Sequence, residues 1–403
     1  MTIPQEHIDN FPKLISDKGL SSDVSFQKLE NNKIKFSISN LQSDKLIEAI
    51  DFVRSELCAD SKIEINSDLT FNERSFDREI NLSNCIFNNK FLFRKCIFKK
   101  NVWFKSTQFL STTSFKGSFF ERKVRFHFSE FNTSVIFENT VFKDLADFYY
   151  ANFYETQQFH LTDFLSVTIF SNVTFHKQAQ FLYNKVSFQS IISFESAAFN
   201  QSLDISRANF WCKLSFWNVE IEKFPLEMWL YQTDDIRPKK LDSFDEARKR
   251  IRESYRIIKN EFTKEGNSIE SLQYYSYEMG MYEKEIENEK KIENRLLVWL
   301  NKKSNNFGTS WKNGIVFTLL TTLLFYLLFL LTFSPDLYFE CSWEAFSMTI
   351  KHFFEFLNVA KWDIKPFGIE NYSWGYIVLF IGRLFIAYGY YQTVQAFRKY
   401  GRK

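Results

Sequence analysis

Apolar positions recur along this chain with steps of five, then six, then five residues. Phe87, Phe93, Phe98, Phe104, Phe109, Phe115, Phe120, Phe126, Phe131 and Phe137 keep the beat, and Phe142 through Phe181 continue it. It begins earlier, at Phe71, Phe76 and Leu82. It slips by two residues between Phe181 and Phe188, then resumes at Phe194, Phe199, Ile205, Phe210 and Phe216. Two residues before most of these stands a small or β-branched residue, such as Cys85, Cys96, Val102, Thr107, Ser118, Val124 and Ala151. Positions i−2 and i share one face of an extended strand, whereas steps of five keep no face of a helix. The pattern therefore predicts short strands turning a corner every five or six residues.

Such strands stack into a solenoid with a ladder of Phe inside, rising roughly 4.8 Å per coil. Four sides make a coil of 22 residues, so the tract holds about seven coils and extends roughly 32 Å. The units Cys96-Ile97-Phe98, Val135-Ile136-Phe137 and Ala197-Ala198-Phe199 resemble the pentapeptide-repeat family in its eleven-residue form. The resemblance spans roughly residues 67–217 and implies a right-handed quadrilateral β-helix. It says little about function, which lives in sites grafted on folds. Some members mimic DNA with acidic faces. This chain departs from them, with ten basic residues and one acid, Glu121, between Lys90 and Arg125.

Outside the repeat the period changes. Residues 1–66 read as an N-terminal cap blunting the open end of the solenoid, with a helix from Ser43 to Leu57 carrying Leu46, Ile47, Ile50 and Val53. Residues 67–218 are the β-helix, and 219–310 a linker with a cytoplasmic helix pair. The first helix starts at Asp242 or Ser243 with the stripe Phe244, Ala247, Ile251, Tyr255, Ile258 and Phe262, and ends at Gly266. Asn267 and Glu270 form a capping box for the second, which is expected to run to Leu300.

Residues 311–403 read as a membrane module. Ile315 to Phe333 is an uncharged apolar run within a first span at 314–333, and a second span occupies 374–396. Lys302, Lys303 and Lys312 precede the first span, and Arg398, Lys399, Arg402 and Lys403 close the second. By the positive-inside rule both termini are cytoplasmic, and the loop 334–373 lies outside. Met1 to Leu20 is charged and broken by Pro4 and Pro12, unlike a secretory signal.

The segments Asn301–Trp311 and Tyr388–Gly401 resemble the two-span, channel-like module that ends some bacterial pentapeptide-repeat proteins. The similarity covers roughly 243–403. More distantly it extends to the transmembrane effector of Hailong-type anti-phage systems. It implies a multi-pass inner-membrane pore acting in defence, with an oligonucleotide from a partner nucleotidyltransferase as the signal.

Within the loop, Ser342 to Phe356 reads as a short amphipathic helix with Trp343, Phe346, Ile350, Phe353, Phe354 and Leu357 on its apolar side. It is either re-entrant, as in pore-loop channels, or interfacial. The residues after it, Asn358-Val359-Ala360-Lys361-Trp362-Asp363, do not resemble a potassium filter. Arg383 lies near the middle of the second span, where a charge tends to face a bundle interior or water. It is a candidate pore or gate residue with Glu344 or Glu355 as counter-charge; the structural alternative is a static salt bridge. Gly375, Gly382 and Gly389 recur every seven residues and suit close helix packing. Two spans enclose no pore alone, so a homo-oligomer is implied, a tetramer by analogy with pore-loop channels.

The basic tract supplies candidate anion-binding residues Arg94, Lys95, Lys99, Lys105, Lys116, Arg122 and Arg125, with Arg94, Lys105 and Lys116 expected in one row. With Trp103, Phe119 and Phe128 nearby, such a face suits single-stranded DNA or an oligonucleotide. An ordinary solvated surface is the alternative. Arg248, Arg252 and Arg256 form a second row. Net charge is only +3, so the whole molecule advertises no polyanion partner. Cys58, Cys85, Cys96, Cys212 and Cys341 show no pairing or metal spacing, nor do the five His. No nucleophile motif or phosphate loop is present, so neither catalysis nor a cofactor is expected. The expectation is a membrane sensor-effector; the alternative is a membrane-tethered scaffold without conductance.

Overall fold

The computed structural model describes residues 8–28, 34–58, 61–221, 244–288, 292–332, 342–362, 364 and 373–401. The helix start at Asp242 or Ser243, Cys341, Asp363, Arg402, Lys403 and most of the loop 334–373 lie outside these, as do the side chains of Phe244, Ala247 and Lys399. The chain divides into two compact units, Met1–Ile257 and Ile258–Lys403.

The first unit is a β-solenoid of about seven turns. Strand partners lie one coil away: Phe87, Phe109, Phe131, Phe153 and Phe175 share one ladder, and Val102, Val124 and Ala146 another. The inward Phe are fully buried from Phe87 to Phe181. They stack coil on coil, with Phe104–Phe126 at 4.8 Å and Phe126–Phe148 at 4.9 Å, rings within 7° of parallel. Around each coil neighbouring columns meet edge-on, as for Phe126–Phe137 at 81°. Offset stacks and edge contacts are the favourable ring geometries, so one residue type satisfies both directions of the core.

The small slot tolerates hydroxyls because each finds an acceptor. Thr107, Ser118, Thr140 and Thr162 each donate to a carbonyl 25 residues back at 2.8–2.9 Å, so these buried hydroxyls are satisfied. The corners use left-handed backbone. One column of positive φ runs Glu73, Lys95, Gly117, Asn139, Leu161 and Tyr183, and a second runs Asn84, Ser106, Phe128, Tyr150 and Asn172.

The slip near residue 186 corrects the expected ladder. Val186, not Phe188, bridges Phe164, and Phe188 points outward at 85% exposure. The extra residues bulge there, and the next ladder partners are 24 apart, as in Thr168–Ile192.

The cap continues the sheet. Strands β1 (Val24–Lys28) and β2 (Ile34–Ile38) form a hairpin, and β2 pairs parallel with β3 (Lys62–Ile65), which pairs with Cys85–Phe87. Helix α1 (Phe11–Asp17) buries Phe11 and Ile15. Helix α2 (Ser43–Phe52) buries Leu46, Ile47 and Ile50, and its last turn, Val53–Leu57, widens to π geometry. Helix α3 (Phe244–Lys264) buries Ile251, Ile258 and Phe262 on the expected stripe. Within the first unit its Ser254 hydroxyl accepts from the Ile205 amide at 3.2 Å.

The second unit is helical. After Gly266, at φ +75°, Asn267 caps α4 (Ser268–Glu285) by accepting from the Glu270 amide. The second helix does not run on to Leu300. It closes in a 3-10 turn, Ile286–Asn288, and α5 (Ile292–Asn305) begins anew. The turn drives Ile286 into a core with Val298 and Phe307. Helices α6 (Trp311–Leu330) and α8 (Ser373–Gly401) are long and apolar enough to cross a membrane, with mean hydropathies of 2.0 and 1.3 over their apolar windows. Helix α7 (Trp343–Leu357) packs on both.

Candidate functional site

In the solenoid, a groove of about 530 Å³ is lined by Arg94, Lys95, Lys116, Glu138, Gln158 and His160. Arg94 and Lys116 share it because they sit one coil apart on the same ladder. Lys105 does not join them. A step of eleven carries the chain half-way round the coil, onto the ladder of Val102–Trp103, so the expected single row is two rows on different sheets.

The charges are largely answered one coil away. Lys95 meets Glu73 at 2.8 Å, Lys99 meets Asp77 at 2.8 Å and Lys116 meets Glu138 at 2.6 Å. Lys95 and Lys99 hold the Glu73 and Asp77 carboxyls below their usual range, and those carboxylates raise the two lysines in turn. Arg94, Lys105 and Arg122 stand exposed and form no ion pair among the described residues. Arg125 lies over the Trp103 ring at 5.2 Å, and Trp103 donates to Glu79. The face is thus a set of cations in discrete places, suited to a few phosphates rather than to a long polyanion track. On α3, Arg256 forks onto Glu253 at 2.6 and 2.8 Å, while Arg248 and Arg252 are half-buried.

The sequence reading named Phe128 but missed the two tyrosines that cluster with it. Phe128, Tyr149 and Tyr150 are exposed together on a corner beside Lys105 and His127, with Phe128 stacked on Tyr150 at 5.4 Å. Phe128 and Tyr150 both hold φ +55°, a conformation that costs bulky residues on the order of 1 kcal/mol each. The signal available was the Tyr149-Tyr150 pair, two aromatics off the five-six beat.

In the helical unit, the segments Asn301–Trp311 and Tyr388–Gly401 meet. Ser304 and Asn305 are fully buried at the end of α5. Asn305 donates to the Gln392 carbonyl at 3.1 Å and to its side chain, and accepts from the Gly308 amide at 2.8 Å. Ser304 lies 3.4 Å from the Tyr388 hydroxyl, and Trp311 stacks on Phe397 at 5.3 Å. The expected linker is therefore a tight turn, with Asn306 and Phe307 left-handed and Gly308 at φ +84°. Gly314 and Gly389 bring α6 and α8 together, each facing a Thr of the other helix.

Helix α7 packs by only part of its expected side, through Phe353 and Leu357. Trp343, Phe346, Ile350 and Phe354 are exposed, and the anchor is Phe356, buried against Tyr326 at 5.8 Å and Phe329 at 5.5 Å. The packed side is rotated from the expected one toward Phe356, with Phe353 and Leu357 shared by both. Arg383 is 3% exposed. Its Nη1 donates to the Val359 carbonyl at 3.3 Å and its guanidinium lies 4.8 Å from the Trp362 ring centre. Within the chain it pairs with neither expected acid. Glu355 is taken by Lys361 at 2.7 Å and His352 at 3.0 Å, and Glu344 stands exposed in the first turn of α7.

Comparison of the chain with protein families, curated proteins and solved structures finds no match. The chain is a β-solenoid with stacked phenylalanines, consistent with pentapeptide repeats, followed by two helices apolar enough to span a membrane.

Proposed function

We propose that the chain is a membrane sensor-effector: an oligomeric, ligand-gated channel or pore of the bacterial inner membrane, with both termini cytoplasmic. The solenoid is read as a right-handed quadrilateral β-helix of the pentapeptide-repeat type, a reading supported by the 22-residue register. Helix α7 is read as re-entrant, because Phe356 packs level with Gly382 and Phe325 rather than beyond the span ends. The observation that carries the pore reading is Arg383, a buried cation in an apolar helix that forms no ion pair among the described residues. In a tetramer it becomes a ring of four. The signal is an anionic ligand, single-stranded DNA or an oligonucleotide, received on the sheet of Val102–Trp103 and Val124–Arg125, which Lys105 and Arg122 flank, with the Phe128–Tyr150 stack as base platform. Support for the defence role and for a partner nucleotidyltransferase is the resemblance of the membrane segments alone.

Expression of the active protein should depolarise the host membrane, and Arg383→Ala should alter that response, read with a potential-sensitive dye. Normal polarisation in both strains refutes the reading. The exposed corner of Phe128, Tyr149 and Tyr150 also favours a second reading, a tethered scaffold whose aromatics bind another protein. Planar-bilayer recording separates the two, since a scaffold passes no current.

A further inference from the structure

Arg383 is held but not satisfied. One nitrogen, Nη1, donates to the Val359 carbonyl, and the plane rests on Trp362. The other two, Nε and Nη2, are buried and meet no acceptor among the described residues. These two atoms share one edge of the guanidinium. That edge presents two parallel N–H bonds, the fork that grips an anion from one side. A buried charged donor left unmatched is costly, so its persistence points to an occupant or to a second conformation.

The described parts of the unit supply no carboxylate for it. Helices α6 and α8 contain no Asp or Glu at all. Glu355 is committed to Lys361 and His352, and Glu344 stands at the opposite end of α7 from Val359. Depth limits the occupant further. Arg383 lies nine residues into the apolar window that starts at Trp374, about 14 Å along the helix axis. The edge is buried and the turn carrying Val359 and Trp362 rests on the same guanidinium, so what reaches it must be small and must displace or follow that turn.

We propose that Arg383 is a binding site for a small inorganic anion, of the size of chloride or nitrate, and that it makes the pore anion-selective. This rests on the channel reading above and adds the identity of the permeant ion. Rings of Arg or Lys select anions in pores, and the apolar walls of α6 and α8 offer a cation no competing carboxylate. Val359 and Trp362 hold the guanidinium while the site is empty. When the turn moves, the anion takes the Nε–Nη2 edge.

The test uses the full chain in proteoliposomes across a potassium chloride gradient. The reversal potential should lie near the chloride equilibrium value. Arg383→Gln should move it toward the potassium value, and Arg383→Lys, which keeps the charge but loses the fork, should retain a weakened anion preference. A cation-selective current in the unmodified protein, or an unchanged reversal potential in R383Q, overturns the anion site and leaves the channel standing. No current from any variant overturns the channel reading itself. A second measurement does not depend on conductance. Detergent-solubilised protein should melt higher in chloride or nitrate than in gluconate at equal ionic strength, and R383Q should lose that difference. Equal melting of the unmodified protein in all three salts overturns the site. Should R383Q fail to fold, R383K carries both comparisons.

Discussion

Replacing Gly389 with alanine tests how α6 and α8 are held together. A Cβ built there meets Thr318 Oγ1 at 2.4 Å, Thr318 Cβ at 3.1 Å and Thr318 Cα at 3.2 Å. The first distance is about 1 Å inside ordinary contact. Rotating the hydroxyl away does not cure it. Thr318 is buried, its Oγ1 donates to the Gly314 carbonyl at 2.8 Å, and the third clashing atom belongs to the backbone of α6. The helices must therefore part. Parting loosens Gly382 as well, which sits against Phe325 and Phe356. Overpacking of this kind costs about 1–3 kcal/mol. Thermal unfolding of the detergent-purified protein, followed by scanning fluorimetry, should show G389A melting below the unmodified chain. Gly314→Ala should behave alike, because its Cβ meets Thr393 Oγ1 at 2.5 Å. Gly280→Ala is the control. It lies inside α4 with nothing within 4 Å, so a better helix former should stabilise it by about 0.5–1 kcal/mol. The pair G389A/T318A should recover part of the loss. Equal melting of G389A and G280A would refute the close approach.

Two further outcomes follow from the solenoid. Phe126→Ala removes a fully buried ring stacked on Phe104 and Phe148 and should cost about 3–5 kcal/mol, read as an earlier denaturant midpoint for the β signal. The Glu73–Lys95 and Asp77–Lys99 pairs carry depressed carboxylates, so they are intact above the ordinary carboxyl values of 4.5 and 3.8 and are lost only as pH falls through the lower folded values. E73Q with D77N frees both lysines at neutral pH. If these lysines reach a bound strand, the slope of log affinity for single-stranded DNA against log salt should steepen by about 1.4, and an unchanged slope removes them from the ligand face.

The rod was legible because its pattern is strictly local. Every five or six residues an inward Phe and a small partner state the same instruction, and Phe98, Phe120 and Phe142 stack as that instruction requires. Legibility failed where the instruction met geometry in three dimensions. The spacing of Lys105 from Arg94 reads as a repeat, but half a coil separates their ladders. Phe188 looked like the next rung, yet the bulge gave that place to Val186. In the helical unit the apolar pattern located α6 and α8, while on α7 it named Phe353 and Leu357 but missed the anchor, Phe356, which lies beside the apolar stripe. The polar contacts were hidden for another reason. Asn305 and Gln392 are 87 residues apart, and nothing in either segment names the other.

That hidden contact ties α5 to the second long apolar helix. Helix α5 ends in Ser304 and Asn305, both without exposure, and both engage α8 rather than the adjoining α6. Asn305 spends its remaining acceptor on Gly308, the residue that reverses the chain into α6. One side chain thus fixes the reversal and the second span together. Apolar contacts slide cheaply, but these hydrogen bonds are buried and have no water to replace them, so they break at a cost of about 1–3 kcal/mol each. A displacement of α5 must therefore either carry Gln392 with it or break the set. Gln392 lies nine residues along α8 from Arg383, two and a half turns of one continuous helix. The route from α5 to the buried guanidinium is then one continuous helix, with the Asn305–Gln392 hydrogen bonds at one end and Arg383 toward the other.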